Sequence, residues 1–175
     1  MPVGVPKRTR EFFIFINSPG GSVVSGLAIY DLMQVLPPDM NTVAMGTAAS
    51  MASLILSGGS YFKRSVFPTA RVMIHQPLAS FFSKTPTGHF IFDAAMMRHL
   101  RRGVTEAYVN QTSKPFFVIA EDLEKDISMT AEEASAYGLA DWVGIDPTLF
   151  ERISKNDKED AERRKEEHEA RKMEE

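Results

Sequence analysis

The stretch MGTAASMASLILSGG, residues 45–59, sets Ser50 among small and apolar residues, where a hydroxyl has two uses. It can cap a helix that starts beside it, satisfying N–H groups that the first turn leaves without intrahelical partners. It can also serve as a nucleophile at a strand-to-helix turn, with the Met51 N–H placed to receive a developing oxyanion. The small size of Gly46, Ala48 and Ala49 would let a substrate backbone approach such a nucleophile. The pattern is not the G-x-S-x-G elbow of α/β-hydrolases. A nucleophilic serine needs a base. Of four histidines, His75 alone ends an apolar run, RVMIH, while His89, His99 and His168 fall on helical or charged faces. A histidine at a strand end serves equally as a hydrogen-bonded core group. Asp126, in EKDISMT, is a candidate to hold the imidazole tautomer, with Asp122 and Asp141 as rivals that the sequence does not separate. NSPGG, residues 17–21, reads both as a turn requiring positive φ and as a backbone cradle in which the Gly21 N–H joins that of Met51 around an oxyanion.

These groups can meet only if the chain brings their strand ends together. EFFIFI is a buried strand running into the NSPGG turn. VVSGLAIYDLMQVL follows as a helix packed on a sheet and stops at Pro37 and Pro38. NTVAM is a short strand, Gly46 opens a turn, and SMASLILS is a helix stopped by Gly58 and Gly59. RVMIH, residues 71–75, is the next strand. The β-α-β-α alternation predicts a mostly parallel sheet with right-handed crossovers and functional groups at strand ends. From residue 87 to 113, Phe90, Ala94, Met97, Leu100, Val104 and Tyr108 step by three or four, giving a long amphipathic helix. Its apolar face packs either on its own domain or on another chain. Thr130 and Glu133 form a capping-box signature for a helix that Gly138 ends, with a short strand after it.

Composition narrows the possibilities. A length of 175 residues with 43% hydrophobic content suits one domain, here 1–150, followed by a charged tail, 151–175, that reads as a solvated helix or disordered segment. A net charge of -3 offers no basic footprint for nucleic acid. The absence of cysteine excludes disulfides, thiolate metal sites and a cysteine nucleophile. The apolar runs fall short of the roughly 20 residues of a membrane helix, and the first residues lack the apolar core of a secretory signal.

Taken together, FINSPGGSVVSGLAIYDLMQ, GTAASMASLILSGG, RVMIHQPLASF and EKDISMTAEEASAYGLADWV resemble, in order, the blocks of the Clp protease proteolytic subunits, over about Phe12 to Val143. The resemblance implies a crotonase-like α/β fold, a mostly parallel sheet of repeated β-α units with a protruding handle helix at about 87–113. It implies a serine endopeptidase with Ser50 as nucleophile, His75 as general base and acid, Asp126 as orienter, and the Gly21 and Met51 N–H groups as oxyanion hole. It further implies stacked seven-membered rings fed with unfolded protein by a hexameric ATPase. The subunit itself then needs no cofactor, ATP being used by the partner, and no nucleic acid or membrane takes part. MPVGVPK and YVNQTSKPFFVIAEDLEKD look most like the plastid-encoded form, implying the chloroplast stroma, with a bacterial-type cytoplasm as the alternative. Against the family pattern, a pore-lining segment and first strand-helix unit are expected to be missing before the INSPGG strand. Ala52 stands where glycine is usual, and SKTPTG makes the handle entrance atypical. A catalytically silent ring subunit is the competing reading, and a crotonase-type acyl-CoA enzyme a more distant one.

Overall fold

The computed structural model describes residues 11–77, residues 87–149 and parts of 151–165. MPVGVPK, most of SKTPTG, His168 and the end of the tail lie outside the described residues. The chain divides into two compact units, Met1–Gly144 and Ile145–Glu175.

The first unit alternates as the sequence predicts: β1 (Phe12–Ser18), α1 (Val23–Val35), β2 (Met40–Ala49) and α2 (Met51–Ser57). β3 (Arg64–Val66) and β4 (Arg71–Ile74) lead to α3 (Thr87–Thr112), α4 (Phe116–Glu124), β5 (Ile127–Met129), α5 (Ala131–Tyr137) and β6 (Trp142–Val143). β2 is the hub of the sheet. It pairs in parallel with β1, with β3 through Thr42–Ala44, and with β4 through Thr47–Ala49. β6 extends β3 in parallel, while β5 runs antiparallel to β4 with Ile74 opposite Ile127. The C-terminal ends of β1, β2 and β4 therefore lie at one edge of the sheet, and the antiparallel β5 starts there. Open α/β sheets bind ligands at such an edge.

β2 is longer than the sequence suggests. Gly46 does not end the strand but lies within it at φ 83, where the β1–β2 register shifts between Ile16 and Ser18. The bulge brings the Thr47 N–H to the Asn17 side-chain oxygen at 3.2 Å. A Cβ at Gly46 would stand 2.9 Å from the Asn17 side-chain oxygen, and Ala48 is fully buried, so packing within the chain also calls for small residues at both positions.

The core lies where α2 and α5 pack on the sheet, with α1 and α3 laid against α2 and α4 against α3. Leu54, Leu56, Val66, Val72, Ile74, Ile119, Leu123 and Leu139 are completely buried. α2 is enclosed along most of its length, which is why it carries no charge and why small residues such as Ala52 occupy it. α3 answers its ambiguous apolar face by dividing it. Val104, Ala107 and Tyr108 of its C-terminal half are buried, whereas Phe90, Ile91, Phe92 and Met96 of the other half are exposed. Thr130 and Glu133 form the expected capping box, and α5 closes at Gly138 with φ 98.

In the second unit, the Asp146 carboxylate accepts from the Thr148 N–H and hydroxyl and pairs with Arg152 at 2.8 Å. The described positions after 150 are helical.

Candidate active site

Ser50 occupies the N-cap position of α2, yet its side chain makes no capping bond. Its backbone, at φ 58 and ψ -128, lies where L-residues rarely sit and where strain is typically stored. Surrounding bonds enforce that conformation. The Ser50 N–H donates to the Met73 carbonyl of β4 at 2.9 Å, and the Ser50 carbonyl accepts the Ser53 N–H at 3.0 Å. The sharp turn presents Oγ to the next strand, where it lies 2.7 Å from Nε2 of His75.

His75 follows the fully buried Ile74 at the end of β4, with its side chain 19% exposed. Immediately beyond, the Gln76 N–H donates to the Leu123 carbonyl of α4 at 2.7 Å, tying the histidine segment to the helix that leads to Asp126. Asp126 sits in the turn between α4 and β5 at φ 50. Its Oδ1 lies 3.9 Å from His75 Nδ1, and its side chain is 64% exposed. That separation exceeds a hydrogen bond by roughly 1 Å; catalytic contacts are often long in the unliganded state and tighten when substrate binds. The rivals are engaged elsewhere: Asp122 accepts from the Tyr137 hydroxyl at 2.7 Å, and Asp141 pairs with Arg64 at 2.5 Å.

The NSPGG loop closes on the serine from the end of β1. Gly20 takes φ 101, and a Cβ there would stand 2.6 Å from the Ser50 Cβ and 2.7 Å from the Ala49 carbonyl. Positive φ and close approach thus fall on Gly20, which sequence reasoning passed over in favour of Gly21. Gly21 has open space on its own side-chain side. Among the described residues no group of three or more His, Cys, Asp or Glu is placed to hold a metal ion.

Behind Ser50 lies a buried polar cluster that the sequence reading missed. Ser53 Oγ is 2.6 Å from the Ser50 carbonyl, 2.8 Å from the Met73 carbonyl and 2.8 Å from the Tyr108 hydroxyl. The Tyr108 hydroxyl also lies 3.3 Å from the Ser50 carbonyl. Burial pushes the Tyr108 phenol well above its ordinary value, the Ser53 hydrogen bond pulling weakly the other way, so it remains a proton donor at any physiological pH. The available signal was a serine three residues after Ser50 on a helix with no polar face. Tyr108 was hidden because it also fits the apolar spacing of α3.

A protein-family model described as Clp protease matches residues 5–146. The chain is 52% identical over 143 residues to the chloroplastic ATP-dependent Clp protease proteolytic subunit 1 of Arabidopsis thaliana, covering 82% of this chain and 72% of that protein. It is 53% identical over 140 residues to an ATP-dependent Clp protease proteolytic subunit of Drimys granadensis, covering 80% and 69%. A subunit of the same description from Nuphar advena is 51% identical over 138 residues, covering 79% and 68%.

Proposed function

The chain belongs to the Clp protease family, and on that premise we propose that it works as the proteolytic subunit of an ATP-dependent Clp protease, with Ser50, His75 and Asp126 as its catalytic triad. The observation that carries this reading is the 2.7 Å contact between His75 Nε2 and the hydroxyl of a backbone-strained serine that caps nothing. In the proposed reaction His75 takes the Ser50 proton as Oγ attacks the scissile carbonyl. The N–H groups of Met51 and Gly21 receive the oxyanion. His75 then protonates the leaving amine, leaving an acyl group on Ser50, and activates the water that releases it. Asp126 keeps the second imidazole proton on Nδ1 and stabilises the imidazolium. No step calls for a cofactor in this subunit; ATP is spent by the partner.

The substrates are unfolded polypeptides delivered by a hexameric Clp ATPase into a chamber of stacked seven-membered rings. Exposed apolar side chains support assembly: Val24, Ile29, Leu32 and Val35 on α1, and Phe90, Ile91, Phe92 and Met96 on α3, form faces that neighbouring subunits would cover. The similarity to the chloroplastic subunit of Arabidopsis thaliana supports a chloroplast location, and within it the stroma.

The reading is tested in the complex assembled with its ATPase, supplied with ATP and an unfolded protein. Replacing Ser50→Ala in this chain should remove the peptide products attributable to it while leaving assembly intact. An unchanged product yield and pattern would contradict the proposal.

A further inference from the structure

The carbonyl that the buried hydroxyls surround belongs to the peptide bond joining Ser50 to Met51. A trans peptide is planar, so its carbonyl oxygen and its N–H point in opposite directions. Whatever fixes the Ser50 oxygen therefore aims the Met51 N–H. Two donors reach that oxygen, the Ser53 N–H at 3.0 Å and the Ser53 hydroxyl at 2.6 Å, and the Tyr108 hydroxyl oxygen lies 3.3 Å from it. The first is a tight i, i+3 turn bond at the start of α2; the Ser53 and Tyr108 side chains are completely or almost completely buried. Two hydroxyls supply two protons, and the distances divide them simply. Tyr108 donates to Ser53 Oγ at 2.8 Å, and Ser53 donates to the Ser50 carbonyl, with the Met73 carbonyl at 2.8 Å as its second acceptor. That Met73 carbonyl also accepts the Ser50 N–H at 2.9 Å. Ser53 thus bridges the peptide after the nucleophile to the strand that carries His75.

We infer that Ser53 and Tyr108 are positioning residues, whose hydroxyls hold the Ser50–Met51 peptide so that the Met51 N–H faces the oxyanion and Ser50 Oγ stays in reach of His75. The inference rests on the reading of Ser50 as nucleophile. Hydrogen bonding at the carbonyl also polarises the peptide, making its N–H a better donor. The arrangement favours the transition state over the bound substrate, because the oxyanion exists only in the former.

The test uses the assembled complex with wild-type chain, Ser53→Ala, Tyr108→Phe, the double variant, and Ser57→Ala as control. Ser57 is equally buried in α2, but its hydroxyl donates within the helix to the Leu54 carbonyl. Each variant is measured for kcat and KM on a short peptide amide and for affinity to a peptide boronate, whose tetrahedral serine adduct mimics the oxyanion. Loss of a whole oxyanion donor costs about 10² to 10³ in rate, so a misaimed donor should lower kcat by roughly 10-fold. Boronate affinity should fall in parallel, with KM nearly constant. The double variant should lose less than the product of the single losses, because the hydroxyls act as one unit. Ser57→Ala should behave as wild type. Unchanged kcat, a rise in KM alone, or an equal loss in Ser57→Ala would overturn the inference. Tyr108→Phe, which deletes one oxygen from a packed ring, decides the matter if Ser53→Ala does not assemble. A wild-type chain that does not react with a fluorophosphonate at Ser50 would instead sink the nucleophile reading, and this inference with it.

Discussion

Ser50 is held in a conformation that costs of order 1–3 kcal/mol, and the hydrogen bonds to Met73 and Ser53 make that conformation affordable. Gly20 is the companion of that strain, since its bare Cα lets the NSPGG loop press on the serine. Gly20→Ala should therefore sharply slow fluorophosphonate reaction at Ser50 while the melting temperature changes far less; an unimpaired labelling rate would show that the loop has slack. Asp126 invites a quantitative expectation. In chymotrypsin-type triads, replacing a buried aspartate by asparagine costs about 10⁴ in kcat. Here the carboxylate is 64% exposed and 3.9 Å from the ring. A unit charge pair at that distance is worth about 1 to 4 kcal/mol between bulk water and a protein surface. Asp126→Asn should accordingly lower kcat by only about 10- to 10³-fold, measured on a short peptide amide. A 10⁴-fold loss would mean that the carboxylate closes on His75 during turnover. The choice of Asp126 over its rivals was not legible from local sequence. It emerges because Tyr137 occupies Asp122 and Arg64 occupies Asp141.

At the scale of elements, the segments with strong punctuation read clearly: β1 before its Pro-Gly turn, α1 before Pro37, and α5 between Thr130 and Gly138. Thr130→Ala should destabilise the fold by about 1 kcal/mol in chemical denaturation, since it removes the reciprocal cap. The elements that escaped were short or disguised. β3 has three residues and begins with Arg64, which reads as loop until its ion pair with Asp141 is known. β5 also has three residues, too few for any period to show. α4 starts at an apolar FFVIA run behind Pro115, where helix and buried strand look alike. Gly46 was misread because a bulge keeps β2 going through a residue that usually stops a strand. Ser53 and Tyr108 were missed for a different reason: they bond to each other across 55 positions of the chain and to backbone carbonyls, neither of which a sequence displays.

Across the whole first unit, one buried cation joins segments far apart in the chain. Arg64 pairs with Asp141 and also donates to the carbonyls of Ser57, Gln111 and Gly138, so it links β3 to the ends of α2, α3 and α5. Removing one partner strands a buried charge and three carbonyls. Arg64→Met should cost about 3–5 kcal/mol in denaturant unfolding, and Arg64→Met with Asp141→Leu should recover part of that loss. A loss below about 1 kcal/mol in the single variant would show that the pair is solvated. The parallel hub of β2 then does the rest, collecting the ends of β1, β2 and β4 and the start of β5 at one edge, so that residues 20, 50, 75 and 126 meet although the chain separates them widely.

The central claim is that Ser50 is the working nucleophile, and the most direct measurement is fluorophosphonate labelling of the purified native complex followed by peptide mapping, with Ser50→Ala and His75→Ala as comparisons. The account predicts a single adduct on Ser50, absent in the first variant and strongly slowed in the second. An intact complex with no adduct on Ser50, or with labelling at full rate without His75, would contradict it.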